Sequence, residues 1–221
     1  QNNSALWLVL GGAFVLRMIL AGVTEGYPYD MSCFVAWGDK LASEGPAAFY
    51  SADYFADYPP GYILVLGLVS LVRKALQLSY ESRWTYFLLA LIPAICDCAA
   101  VVLLDHISRR YMGQGRAQRC LVLFAAFCPL TLFDTGIWKQ IDGAFALPLL
   151  LCFWLLEERR YLLAAVLYGV ALAIKPQALL AGPVLAVCFL VAIADAVRDG
   201  KSPLKSVGQI FGGAALALLP P

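Results

Sequence analysis

The chain has 221 residues, 62% of them hydrophobic and 14% charged, and a formal net charge of +1. Soluble domains run at about 45–50% apolar and about 25% charged, so this composition has too little polar surface to coat a globule, and its charge balance gives no basis for a nucleic-acid partner. What remains is an all-α, polytopic transmembrane helix bundle; a β-barrel would show alternating segments of roughly ten residues instead.

Apolar runs lie at about 5–23, 61–78, 84–105, 120–133, 142–156, 161–174, 177–197 and 206–219. A spanning helix needs about 20 residues, and several runs are at or below that length. Short runs broken by proline or charge commonly line a cavity. The first run lacks a small-residue cleavage site followed by soluble sequence and reads as a membrane anchor, not a signal peptide. The chain starts at Gln1 and stops at Pro220-Pro221 just after an apolar run. Residues 1–221 are therefore read as one transmembrane module, the N-terminal part of a longer protein.

Within the first run, Arg17 is costly in a membrane and should face a cavity or a partner; it can snorkel or hold a ligand phosphate. A polar loop, residues 24–60, follows. It carries Glu25, Asp30, Asp39, Glu44, Asp53 and Asp57 against Lys40 alone. Lys/Arg-rich short loops face the cytoplasm, which assigns that side to Arg73/Lys74, Arg109/Arg110/Arg116/Arg119, Arg159/Arg160 and Arg198/Lys201, and makes the acidic loop extracytoplasmic. The single run between Arg73/Lys74 and Arg109 cannot then cross once. Pro93 and Asp97 interrupt it, so a re-entrant or tilted path is one solution, and an outward-facing arginine cluster is another.

In the loop, Phe34, Trp37 and Leu41 recur at helical spacing with Asp39 and Lys40 opposite. Residues 31–42 are thus predicted to form an amphipathic helix lying in the interface plane, ended by Glu44-Gly45-Pro46. Tyr50, Tyr54, Phe55, Tyr58 and Tyr62 read as an aromatic belt. Of the seven cysteines, Cys96, Cys98, Cys120, Cys128, Cys152 and Cys188 sit in apolar runs as small hydrophobes, and Cys33 has no disulfide partner in the loop. With His106 the single histidine, a zinc site lacks ligands.

Four breaks between apolar runs offer chemistry. Asp30, where the chain leaves the first run, is able to act as a general base, or simply to cap a helix. Asp57-Tyr58-Pro59-Pro60-Gly61-Tyr62 fixes a helix start, and Asp57 and Tyr58 are candidate ligand contacts. Trp138 with Gln140 and Asp142 supplies a flat apolar face and hydrogen-bonding groups suited to a sugar ring. Lys175-Pro176-Gln177 places an ammonium between apolar runs, either an interfacial lysine or a point charge for a phosphate.

These residues occur in the order acidic loop with an early Asp, Asp57-Tyr58-Pro59-Pro60, then Pro129-x-x-x-x-Asp134-x-Gly136-x-x-x-Gln140, then Lys175-Pro176-Gln177. That order resembles the GT-C superfamily of polytopic glycosyltransferases over about residues 10–195. It is similar to the glucosyltransferases of lipid-linked oligosaccharide assembly, and more so to bacterial relatives of the mannosyltransferases that build GPI anchors. Their matching loop reads approximately Trp-Gly-Gln-x-Asp; here Lys139 replaces the glycine. The resemblance implies a module of about seven helices with an amphipathic helix in the first extracytoplasmic loop. It also implies a multi-pass cell-membrane enzyme of the cell envelope, taking a sugar from a polyprenyl-phosphate donor to a glycan or lipid acceptor.

On that reading Asp30 deprotonates the acceptor hydroxyl in an inverting displacement, and Lys175, with Arg17, stabilises charge on the leaving phosphate. Trp138, Gln140, Asp142 and Gln177, with Asp57 and Tyr58, hold substrate. No cofactor or obligatory metal is expected beyond the lipid-linked co-substrate, although Asp30 with Asp134 or Asp142 has the chemistry to hold a divalent ion. A transporter using Arg17, Asp97 and Lys175 as intramembrane charges is the alternative from another class, and an inactive truncated module is a third.

Overall fold

The computed structural model describes residues 4–51, 53–198 and 200, with Gly208 and Gly212 beyond them. The rest of the run at 206–219, and Lys201, lie outside the described residues. In chain order the helices are α1 (Ser4–Val23), α2 (Pro28–Glu44), α3 (Pro46–Phe49), α4 (Pro60–Ala75), α5 (Arg83–Met112), α6 (Arg116–Ala126) and α7 (Pro129–Thr131). A π-helical segment (Leu132–Trp138), α8 (Asp142–Glu157), α9 (Tyr161–Ile174), a 3₁₀ segment (Pro176–Ala181) and α10 (Gly182–Arg198) follow. Among the described residues, four stretches are long and apolar enough to cross a membrane: Ser4–Val23, Arg83–Met112, Arg116–Trp138 and Pro176–Asp195. The chain is a polytopic helical bundle, as its composition requires. By Cα proximity it forms two compact units, residues 1–56 with 63–147, and 57–62 with 148–221.

In the first unit α1 packs antiparallel on α5. Ala21 meets Ala90 and Ala94 at one end, and Leu10 and Ala13 meet Val101 at the other, where Val122 and Ala126 of α6 complete the cluster. Small residues let the two backbones approach closely where lipid supplies no hydrophobic drive. The interruption expected at Pro93 and Asp97 does not occur. α5 runs unbroken for 30 residues, about 45 Å at 1.5 Å per residue. Pro93 is buried inside it, and a proline's lost hydrogen bond is tolerated where neighbouring helices cover the freed carbonyl.

Arg73 does not stand alone at the end of α4. Its guanidinium donates to both oxygens of Asp39 in α2, each at 2.7 Å. Arg73 therefore lies beside the acidic loop. α4 has 16 residues and runs back along α2. Gly38 of α2 faces the Leu66 carbonyl so closely that a Cβ would stand 2.5 Å from that oxygen. Burial raises the Asp39 carboxyl, but the hydrogen bond from Ser70 and the Arg73 charge outweigh it and hold it below its usual range. Several aromatics of the loop pack on one another: Phe49 lies edge-on to Tyr50 and Tyr54, Lys40 sits over the Tyr54 ring, and the Trp37 indole donates to the Phe55 carbonyl at 2.9 Å. Tyr62 is buried.

The second unit centres on Cys152, Leu155, Ala164 and Leu185 from α8, α9 and α10. Here Gly61, opening α4, lies against the end of α9: a Cβ would stand 2.6 Å from the Ala173 carbonyl oxygen. Asp57-Tyr58-Pro59-Pro60-Gly61 and Lys175-Pro176-Gln177 are thereby brought side by side.

Candidate active site

Asp30 is the third residue of α2. It does not cap the helix: Tyr27 holds the N-cap position with no side-chain bond, and Pro28 opens the first turn. One carboxylate oxygen, Oδ2, accepts from the Trp138 indole Nε1 at 3.0 Å and from the Gln140 amide Nε2 at 2.5 Å. Oδ1 takes no hydrogen bond from the described residues, and Asp30 is half-buried. The Trp138 ring is met edge-on by Tyr27 at 6.2 Å and Phe133 at 5.9 Å. These rings form an aromatic wall beside the carboxylate, the kind of surface that takes a sugar's apolar face.

The strip 138–142 alternates in burial. Trp138 is 41% exposed, Lys139 0% and Ile141 1%, while Gln140 and Asp142 are half-buried. Alternation explains the two-residue spacing of Trp138, Gln140 and Asp142. The turn that produces it is tight. Trp138 ends the π-helical segment, the amides of Lys139 and Gln140 both return to the Asp134 carbonyl, and Lys139 has φ +66°. Left-handed backbone is where glycine sits without strain, which accounts for the glycine of the resembling motif. Lysine uses the position differently. Its ammonium donates to the Thr24 carbonyl and hydroxyl, both at 2.8 Å, and to the Ile137 carbonyl at 3.3 Å. This ties the site turn to the C-terminal end of α1, where a cation is favoured. Burial pushes the Lys139 ammonium down to about 8.

Beneath the turn lies a network that the sequence reading did not assemble. Arg17, 1% exposed, donates Nε to Asp97 Oδ2 at 2.9 Å, Nη1 to the Ala126 carbonyl at 2.8 Å and Nη2 to the Thr131 hydroxyl at 2.9 Å. Arg17 is thus paired with Asp97, and its position caps the open end of α6, whose carbonyls lose their helical partners before Pro129. Asp97 Oδ2 also accepts from Thr135 at 2.7 Å. The signal was present: an arginine in mid-membrane needs an acid at similar depth, and Asp97 on the neighbouring helix was available. Two glycines record how close the packing is. A Cβ on Gly136 would stand 3.0 Å from Leu20 of α1, and one on Gly143 would collide with Asp97 and come within 3.1 Å of the Pro93 carbonyl. Gly143→Ala is expected to cost about 1–3 kcal/mol, the range for overpacking, read as a lowered thermal midpoint of the purified protein; an unchanged midpoint would show that α8 can yield.

In the second unit, Asp57, Tyr58 and Gln177 line a cavity of about 400 Å³ with Pro176, Leu179 and Leu180. Lys175, 8% exposed, ends α9 and precedes the 3₁₀ segment. The expected residues thus form two sets, Asp30 with Trp138 and Gln140, and Asp57 and Tyr58 with Gln177 beside Lys175.

A family model of glycosyltransferase family 87 matches residues 55–220. The chain belongs to glycosyltransferase family 87. The family's activity is sugar transfer, which decides between the enzyme and transporter readings. The matched span contains Asp57, Tyr58, Trp138, Gln140, Asp142, Lys175 and Gln177, while Arg17 and Asp30 precede it. Searches among curated proteins and among solved structures returned no match.

Proposed function

We propose that this family 87 protein is a GT-C-type hexosyltransferase of the cell membrane, moving a sugar from a polyprenyl-phosphate donor to a hydroxyl of an extracytoplasmic glycan or lipid acceptor. The observation that carries the reading is the one-sided grip on Asp30: Trp138 and Gln140 fix Oδ2, and Oδ1 is left to accept a proton. A general base must be held within reach of the proton it takes, and two donors on one oxygen orient the other. The acceptor O–H proton passes to Oδ1. The acceptor oxygen then bonds to the anomeric carbon while the carbon–oxygen bond to the phosphate breaks, its electron pair leaving with the phosphate. One displacement inverts the anomeric configuration.

Lys175, with Tyr58 and Gln177 nearby, has the equipment for the donor: a cation for phosphate and hydrogen-bonding groups on an apolar-edged cavity. Arg17 acts as a positioning residue instead. The extracytoplasmic side is supported by Arg109, Arg110, Arg116 and Arg119, which stand at the far end of α5 from the Lys139 turn, where the positive-inside rule requires cytoplasm. The test supplies purified full-length protein in membranes with polyprenyl-phosphate mannose labelled in the sugar. Label is expected to move to a membrane or glycan acceptor with inverted configuration. Retention of configuration would overturn the single displacement, and transfer only from a nucleotide sugar would overturn the donor class.

A further inference from the structure

At the opposite end of α5 from Asp30, the first unit encloses a cavity of about 510 Å³, within the range of ligand pockets. Its floor is apolar, formed by Leu6 and Val9 of α1 and Val122 of α6, and its mouth is polar, formed by Arg109, Gln118 and Arg119. The one carboxylate lining it, Asp105, is already neutralised. Gln118 donates to Oδ1 at 2.6 Å and Arg109 Nε lies 2.8 Å from Oδ2, so it offers little opposition to an anion. The terminal nitrogens of both arginines donate no hydrogen bond to the described residues: Arg109 is held by its ion pair to Asp105 through Nε, and Arg119 donates Nε to the Gly115 carbonyl at 3.3 Å. A guanidinium fork matches the geometry of a phosphate. Gly115 caps α6 without a side chain, leaving first-turn amides open beside the same mouth, where negative charge is favoured.

The surroundings select the source of the phosphate. The cavity opens among the ends of membrane-length helices, where Trp7, Leu8, Leu123 and Phe124 are exposed. From residue 109 to 119 there are four arginines and no acid. A polar, cationic mouth at headgroup depth over an apolar floor fits a molecule with an anionic head and an acyl tail, not a free ion.

We propose that this cavity is a binding site for an anionic glycerophospholipid, its phosphodiester held by Arg109 and Arg119 and its glycerol and upper acyl carbons lying on Leu6, Val9 and Val122. The site stands apart from the transfer chemistry and is tested by binding. Delipidated full-length protein in detergent would be titrated with phosphatidylglycerol and, separately, phosphatidylcholine, and bound lipid counted by native mass spectrometry. Phosphatidylglycerol is expected to bind at least tenfold more tightly than phosphatidylcholine, as juxtamembrane basic residues favour anionic lipid. Arg119→Glu should lower its affinity about tenfold or more, Arg119→Lys should lower it less, and Leu6→Trp, which fills the floor, should block it with Arg119 intact. Arg119 is exposed, so its variants should keep the wild-type thermal midpoint. Equal binding of the two lipids, or undiminished binding in Arg119→Glu, would mean an unselective lipid shell and overturn the proposal. Displacement by glycerol phosphate at the same concentration would overturn it in favour of a small-anion site.

Discussion

Asp30→Asn is expected to lower sugar transfer by about 10²–10⁴-fold, the contribution of a positioned general base. Asparagine has the same shape and keeps one oxygen able to accept from Trp138 and Gln140, so the fold and the site turn should survive while the capacity to take a proton is lost. The assay is label transfer at saturating donor, with thermal midpoint and monodispersity as folding controls. Trp138→Phe and Gln140→Leu each remove one donor to the carboxylate. Hydrogen bonds to charged groups contribute about 1.5–3 kcal/mol, so each should reduce turnover by about 10–100-fold, less than the loss of the base itself. Asp53→Asn, an acid of the same loop, should be without effect. Turnover of Asp30→Asn within tenfold of the wild type would remove Asp30 from the mechanism.

Arg17→Met is expected to have the largest effect on stability. It leaves Asp97 buried without its counter-charge and uncaps the end of α6. Breaking a buried pair on one side costs about 3–5 kcal/mol, a large part of the 5–15 kcal/mol that holds a typical domain. Replacing both members by apolar groups is often neutral, so Arg17→Met with Asp97→Leu should recover much of the loss. Thermal denaturation in detergent reads both. A single variant as stable as the wild type, or a double variant no better than the single, would show that the network does not hold the bundle. Because Asp97 also accepts from Thr135 in the segment leading to Trp138, both variants should lose activity beyond their loss of stability.

The fold class followed from composition together with the lack of barrel-like alternation, since helices and closed barrels are the two ways to satisfy a backbone in lipid, and α1, α8 and α9 appeared close to where the apolar runs placed them. Boundaries failed where tertiary contacts outweighed local signals. Pro93 and Asp97 look like breakers in isolation, but a buried helix with an arginine waiting at the depth of Asp97 absorbs both. Arg73 looks like a lone basic end of α4 until Asp39, 34 positions earlier, is found across from it. In the site, Trp138, Gln140 and Asp30 could be singled out by type and order. Their meeting could not, because it depends on a π-helical segment and on the left-handed turn at Lys139, and neither has a sequence periodicity to betray it. The Arg109–Arg119 cluster was legible as charge, whereas its cavity exists only once α1 and α6 converge.

The grip on Asp30 has an optical consequence. An indole whose N–H is donated to a carboxylate emits differently from one released to water or bonded to a neutral group. Of the five tryptophans, Trp138 is the one bonded to the carboxylate that the mechanism protonates; Trp37, by contrast, bonds a backbone carbonyl. The chain thus carries its own fluorophore on the reacting carboxylate, and the arrival of an acceptor, or of a proton, at Asp30 can be followed as a shift in Trp138 emission without any label.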